Sequence, residues 1–192
     1  MMDLNEADVH AADAHPRVVH RICLVGLMGT GKSAVGQRLA KNLGIRFIDS
    51  DTLLESRTRR SVSELFALEG EAAFRKMEAV LIDEVSALPG IVLSTGGGAV
   101  LNSATREVLK SRTTVVHLTA TVDALRRRIG DDSNRPLLQC GDPAHALRDL
   151  HEQRAALYAE CAYWTIDTTD RSVCAIVADI VGRLDTLTAC RQ

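Results

Sequence analysis

The sequence predicts an α/β protein, a three-layer α/β/α sandwich with a parallel sheet at its centre. Three observations predict it. Short apolar runs alternate with segments of helical spacing along the chain, the pattern of parallel strands joined by helical crossovers. The first run, Ile22-Cys23-Leu24-Val25, is apolar at every position, as expected of a strand covered on both faces. It runs into a glycine-rich turn, Gly26-Leu27-Met28-Gly29-Thr30-Gly31-Lys32-Ser33, which opens a helix.

The elements follow in order. Ala34, Val35, Leu39, Ala40 and Leu43 recur at helical spacing, and Gly44 is a natural stop. Residues 45–48 are the second strand, ending in Asp49-Ser50-Asp51. Ser61 and Glu64 have capping-box spacing ahead of a short helix with Leu65, Phe66 and Leu68. Phe74, Met77, Leu81 and Val85 mark one face of a longer helix, which Pro89-Gly90 breaks. Ile91-Val92-Leu93 is the third strand and leads into Thr95-Gly96-Gly97-Gly98. A helix over 104–110 precedes a fourth strand over 113–118, and residues 122–129 are helical. Residues 130–141 read as a polar loop containing Pro136. Asp142-Pro143 suits the start of a long helix reaching about Ala162. Trp164-Thr165-Ile166 is the fifth strand, and Ser172 caps a last amphipathic helix with Val173, Ile176, Val177, Ile180 and Leu184. No repeat or interdomain linker interrupts the series. We expect one domain over 21–185, a flexible extension over 1–20 and a short tail over 186–192.

Composition narrows the function. The chain has 192 residues, 46% apolar and 25% charged, with net charge −2. Those values exclude a fully disordered chain and a disulfide mini-protein. No positive field exists to hold nucleic acid or an anionic membrane non-specifically. Aromatic residues are only 3%, so base-stacking platforms are scarce. The five cysteines, at 23, 140, 161, 174 and 190, are never closer than 13 residues. That spacing fits neither a metal knuckle nor a disulfide frame and suits reduced thiols in a cytoplasm. His10, His15 and His20 recur in the polar leader without the context of a metal site. No apolar run is long enough to span a bilayer, and the leader has no apolar core of a signal peptide.

The loop over residues 26–33 matches G-x-x-x-x-G-K-[ST] at every position, between a strand and a helix. Glycines let consecutive N–H groups turn toward phosphate oxygens, and the helix N-terminus adds positive potential. Gly29, Thr30, Gly31 and Ala34 contribute backbone donors, Lys32 reaches the β- and γ-phosphates, and the Ser33 hydroxyl is placed for Mg²⁺. The motif points to a nucleoside triphosphate and leaves the acceptor open.

The acceptor side is sought at the same sheet edge. Asp49 and Asp51 alternate at the end of the second strand, so both carboxylates are expected to face that edge. One suits Mg²⁺ and the other an acceptor hydroxyl. Ser94 stands where many nucleotide-binding proteins carry a metal-binding Asp, and no acid lies between Ile91 and Val100, which leaves the metal to Asp49. Gly96, Gly97 and Gly98 suit close backbone approach to a ligand, although a flexible connector would use glycine too. Arg75, Arg154 and the arginines around the polar loop, Arg126, Arg127, Arg128 and Arg135, are bidentate partners for carboxylate or phosphate. Singly, each reads equally as a solvated helix residue.

As an ordered set these motifs are more specific. The phosphate loop, Phe47-Ile48-Asp49-Ser50-Asp51, Glu69-Gly70-Glu71-Ala72-Ala73-Phe74-Arg75, Leu93-Ser94-Thr95-Gly96-Gly97-Gly98-Ala99-Val100, Arg135-Pro136-Leu137-Leu138 and Arg154-Ala155-Ala156-Leu157-Tyr158 together resemble the shikimate kinase family of nucleoside-monophosphate-kinase-like P-loop proteins. The resemblance runs from about Ile22 to Leu184. It implies a five-stranded parallel sheet, a short lid and transfer of the ATP γ-phosphate to the 3-hydroxyl of shikimate, on the route to chorismate. It implies that Asp51 holds ring hydroxyls and acts as base, and that Arg75 and Arg154 grip the carboxylate. Gly96, Gly97 and Gly98 would line the ring site, with Phe66 and Phe74 as walls or as plain core. Lys32, Ser33 and Asp49 would handle phosphate and Mg²⁺, Arg128 would lie beside adenine, and Arg135 would be the lid arginine. One departure is Arg59, where the family often carries Gly; a left-handed backbone there would cost Arg about 1 kcal/mol. A gluconate kinase of the same fold is the rival reading, with less use for Arg75, Arg154 and the three glycines. A nucleotide-binding regulator without catalysis is the other, although Lys32, Asp51 and Arg135 are all present. A monomer is expected.

Overall fold

Central strands buried at successive positions feed two cores, one on each side of a single sheet. The computed structural model describes residues 20–129 and 143–189. Its strands are β1 (Arg21–Val25), β2 (Arg46–Asp49), β3 (Ile91–Ser94), β4 (Thr114–Thr119) and β5 (Trp164–Asp167). All pairings are parallel, in the order β2-β3-β1-β4-β5. Cys23, Leu93 and Val115 sit side by side and point to one face, whereas Leu24 and Val116 point to the other.

The helices are α1 (Lys32–Leu43), α2 (Ser50–Thr58), α3 (Val62–Ser86), α4 (Ser103–Arg112), α5 (Val122–Ile129), α6 (Pro143–Cys161) and α7 (Val173–Ala189). Leu39 of α1 and Ile180 of α7 cover the Leu24 face. Ile82 of α3, Leu109 of α4, Leu125 of α5 and Leu147 of α6 cover the Cys23 face. Removing one such fully buried Leu or Ile would cost about 2–5 kcal/mol. The expected α/β sandwich and five parallel strands are therefore present. The lid expected over residues 130–141, with Arg135 and Cys140, lies outside the described residues, as do the leader and residues 190–192.

One expectation is corrected. Residues 50–58 form a helix, because the Asp49 carboxylate accepts from the Asp51 and Thr52 N–H groups and turns the chain at the strand end. Asp51 thus belongs to the first turn of α2, not to β2. The two helices expected after Ser61 are both present within α3, separated by a break at Gly70, whose φ of 78° and ψ of 165° are non-helical. The Ser61–Glu64 capping box is present in both halves. Arg59 caps α2 in the left-handed conformation, with φ 56°.

Sheet order positions the site. β1 and β3 are neighbours, so the loops leaving their C-terminal ends, residues 26–31 and 95–98, lie side by side. Asp49 is opposite Ser94 across β2 and β3.

Candidate active site

One cavity of about 920 Å³ opens at this edge. It is lined by the phosphate loop, both aspartates, the three glycines, Arg75, Arg128 and Arg154. Residues spread from 28 to 154 in the sequence thus converge on one space.

The nucleotide side is built from backbone geometry. Gly29 and Gly31 have φ of 77° and 90°, a curl that L side chains rarely adopt. Lys32 opens α1, and its Nζ donates to the Gly26 and Leu27 carbonyls at 2.9 Å each, beneath the loop. The Ser33 hydroxyl donates to Asp49 Oδ2 at 2.9 Å. Ser33 and Asp49 therefore bring two hard oxygen donors together at the loop's edge, a donor set that fits Mg²⁺. The buried Ser94 hydroxyl faces the same cavity without a hydrogen-bond partner. Arg128 reaches from α5 to the Gly29 carbonyl and to Thr168, so it lies against the far end of the loop.

On the acceptor side, charge is buried. Burial and the neighbouring Asp49 charge push the Asp51 carboxyl above its ordinary value, with Lys32 opposing them. Arg75 bonds Glu78 at 2.7 Å and lies 5.6 and 5.2 Å from the Phe66 and Phe74 ring centroids. Those rings are 4.4 Å apart and both line the cavity, Phe74 as part of the core and Phe66 packed against it. Arg154 is only 5% exposed, and its Nε has no hydrogen-bond partner among the described residues. A buried guanidinium with an unused N–H calls for an anion.

Two of the three glycines, Gly96 and Gly98, are explained by close approach to side chains, whereas Gly97 has room for a Cβ. None has a positive φ. A Cβ on Gly96 would lie 2.6 Å from Glu78 Oε1 and 2.8 Å from Asp51 Oδ1, and one on Gly98 would run into the Arg75 guanidinium. Gly96 N–H donates to the Ser50 hydroxyl at 3.0 Å, which ties the loop to α2.

Comparison with known proteins follows this geometry. A model of the shikimate kinase family matches residues 28–185. The shikimate kinase of Thiobacillus denitrificans is 47% identical over 164 residues, 85% of this chain and 90% of that protein. The chain belongs to the shikimate kinase family. The shikimate kinase of Acinetobacter baumannii, solved in complex with shikimate, superposes with a TM-score of 0.86 at 39% identity, covering 88% of this chain and 95% of that one. A gluconokinase from Sinorhizobium meliloti shares the fold alone, with a TM-score of 0.58 at 22% identity. Shikimate kinases use ATP and Mg²⁺ to phosphorylate shikimate.

Sequence reasoning missed two residues of this shikimate kinase site. Glu78 is 3% exposed, with Oε1 unpartnered, and burial pushes its carboxyl above the ordinary value while Arg75 opposes this. Its signal was position: it interrupts the stripe of Phe74, Leu81, Ile82 and Val85, where an unpaired acid would be costly. Tyr158 lies i+4 from Arg154, on the same helix face, and donates to the Gly97 carbonyl at 2.6 Å. Among the described residues no helix is long and apolar enough to cross a membrane.

Proposed function

We propose that this chain transfers the γ-phosphate of ATP to the 3-hydroxyl of shikimate, giving shikimate 3-phosphate for chorismate and aromatic amino acid synthesis. The observation that carries the reading is the shared cavity: Asp51, Arg75 and Arg154 line the same space as the nucleotide loop. Arg75 and Arg154 hold the acceptor carboxylate, and the guanidinium forks pair with it through charge-assisted hydrogen bonds. Asp51 receives the ring hydroxyls and takes the 3-hydroxyl proton. Its raised affinity for protons makes it a better base than an ordinary carboxylate. Gly96, Gly97 and Gly98 keep the ring site open by having no side chains.

Backbone N–H groups of Gly29, Thr30, Gly31 and Ala34, with Lys32, hold the phosphates, and Arg128 lies beside the base. Ser33 and Asp49 are the residues that would hold Mg²⁺, which supplies charge neutralisation at the phosphates. We assign the remaining charge at the transferring group to Arg135, which lies outside the described residues. The chain's contribution is positioning and electrostatics, which is what phosphoryl transfer requires. Free Cys23, Cys161 and Cys174 fit a cytoplasmic setting.

Mass-resolved product analysis after incubation with ATP, Mg²⁺ and shikimate tests the reading. The expected product is the acceptor plus one phosphoryl group. Turnover of gluconate with none of shikimate, or nucleotide binding without transfer, would reject it.

A further inference from the structure

Tyr158 is 1% exposed and lies beneath the acceptor loop. Its ring stacks on His117 of β4, with centroids 4.7 Å apart and planes inclined by 16°. Its hydroxyl donates to the Gly97 carbonyl at 2.6 Å and also bonds the Arg154 side chain. The phenol has one proton, and a guanidinium can only donate. The chain of bonds therefore has a fixed direction: Arg154 N–H to Tyr158 oxygen, Tyr158 O–H to Gly97 oxygen. The Arg154 charge polarises the phenol and strengthens the second bond. A Cβ on Gly97 would lie 3.7 Å from both Arg154 Nη1 and the Tyr158 hydroxyl, so all three groups meet at one point.

We propose that Tyr158 is a positioning residue for the acceptor carboxylate: its hydroxyl holds Arg154 and the glycine loop in register with each other. The inference deepens the proposed function and rests on Arg154 acting as a carboxylate partner. Arg154 also lines the cavity, so one part of the guanidinium is committed to the scaffold while another is left for ligand. Without the hydroxyl, Arg154 would lose that support, and the Gly97 carbonyl would lose its buried donor. Burial holds the phenol protonated, its pKa pushed up to about 12, so the bond survives throughout the working pH range.

Tyr158→Phe removes the hydroxyl and keeps the stack on His117. It is expected to raise the KM for shikimate about fivefold to thirtyfold, the range of one or two lost hydrogen bonds to a charged group. The KM for ATP should stay within about twofold and kcat within about threefold, since among the described residues the phenol's hydroxyl bonds Gly97 and Arg154 on the acceptor side. The penalty should vanish for the carboxamide analogue of shikimate and on an Arg154→Ala background. An unchanged shikimate KM, or a penalty that is equal for the carboxamide, overturns the proposal. So does a parallel loss of ATP affinity and thermal midpoint, which would mean general damage. Tyr163→Phe, at an exposed tyrosine, controls for phenol deletion.

A readout without Tyr158 substitution covers poor folding of the variant. The chain has two tyrosines, so ¹³Cζ-tyrosine labelling gives two resonances, assigned with Tyr163→Phe. Shikimate should move the Tyr158 resonance more than its carboxamide does, and equal shifts count against the proposal. If the wild-type chain fails to phosphorylate shikimate, the functional reading falls and this inference with it. An active wild type with an indifferent Tyr158→Phe removes this inference alone.

Discussion

At the residue scale, the site depends on placing charges where water is scarce. Asp51 is the sharpest case. Burial and Asp49 raise its proton affinity, so the deprotonated form that accepts the hydroxyl proton fades at a higher pH than an ordinary carboxylate would. Asp51→Asn should lower kcat about 10²- to 10⁴-fold with ATP affinity retained, and should remove the acid limb that Asp51 sets in the kcat profile. His117 works in the opposite direction. Burial, with His151 and Lys32 nearby, lowers its pKa from 6.5 to about 4. Below pH 6.5 the unfolded chain binds a proton that the folded chain refuses. Stability from this group is therefore complete above pH 6.5 and is lost as pH falls toward 4, by up to about 3 kcal/mol. His117→Phe should flatten that part of the unfolding free energy measured by urea titration at each pH. The nucleotide residues Lys32 and Ser33 were legible because backbone curvature and phosphate charge dictate both types and spacing. Glu78 and Tyr158 were not, because their roles arise from neighbours 18 and 61 residues away, at Gly96 and Gly97.

At the element scale, local rules placed most boundaries. Gly44 ends α1 with φ 66°, and the Ser61 box starts α3, both as their residue types predict. Helix α2 was missed because its apolar residues, Leu53 and Leu54, are adjacent and give no helical period; its start depends on the Asp49 cap. Arg59 closes α2 in a conformation that suits glycine. Arg59→Gly should raise stability by about 0.5–1 kcal/mol, measured by thermal or urea unfolding, with little effect on turnover. The loop after β3 shows the reverse dependence. Gly98→Ala puts a methyl group into the Arg75 guanidinium. It should raise the shikimate KM at least about tenfold, leave the ATP KM near normal and cost about 1–3 kcal/mol of stability. Equal loss of affinity for both substrates would contradict the division of labour between the two loops.

At the scale of the whole molecule, a marginally stable fold carries a cavity of about 920 Å³ at the end of its sheet. The sandwich itself was legible from the alternation of strand and helix patterns; the strand order was not, since periodicity says nothing about which strands pair. That order decides which loops meet. Ligands that bind only the folded chain must stabilise it by mass action. Shikimate with a non-hydrolysable ATP analogue and Mg²⁺, each at about a hundred times its Kd, should add about 2.7 kcal/mol per ligand. For a chain of this size that corresponds to a rise of about 5–10 °C in Tm for each, measurable by calorimetry. Shikimate without effect at any concentration, with or without nucleotide, would argue against its site.

The kink at Gly70 has a further consequence for how such a protein could diversify. Everything that grips the acceptor, apart from Arg154 and Tyr158, is encoded between residues 51 and 98, whereas the phosphate-handling loop is complete by residue 34. The stretch that runs from α2 through α3 to the loop after β3 could therefore be traded for one that greets another small alcohol. The energy-supplying half would need no redesign.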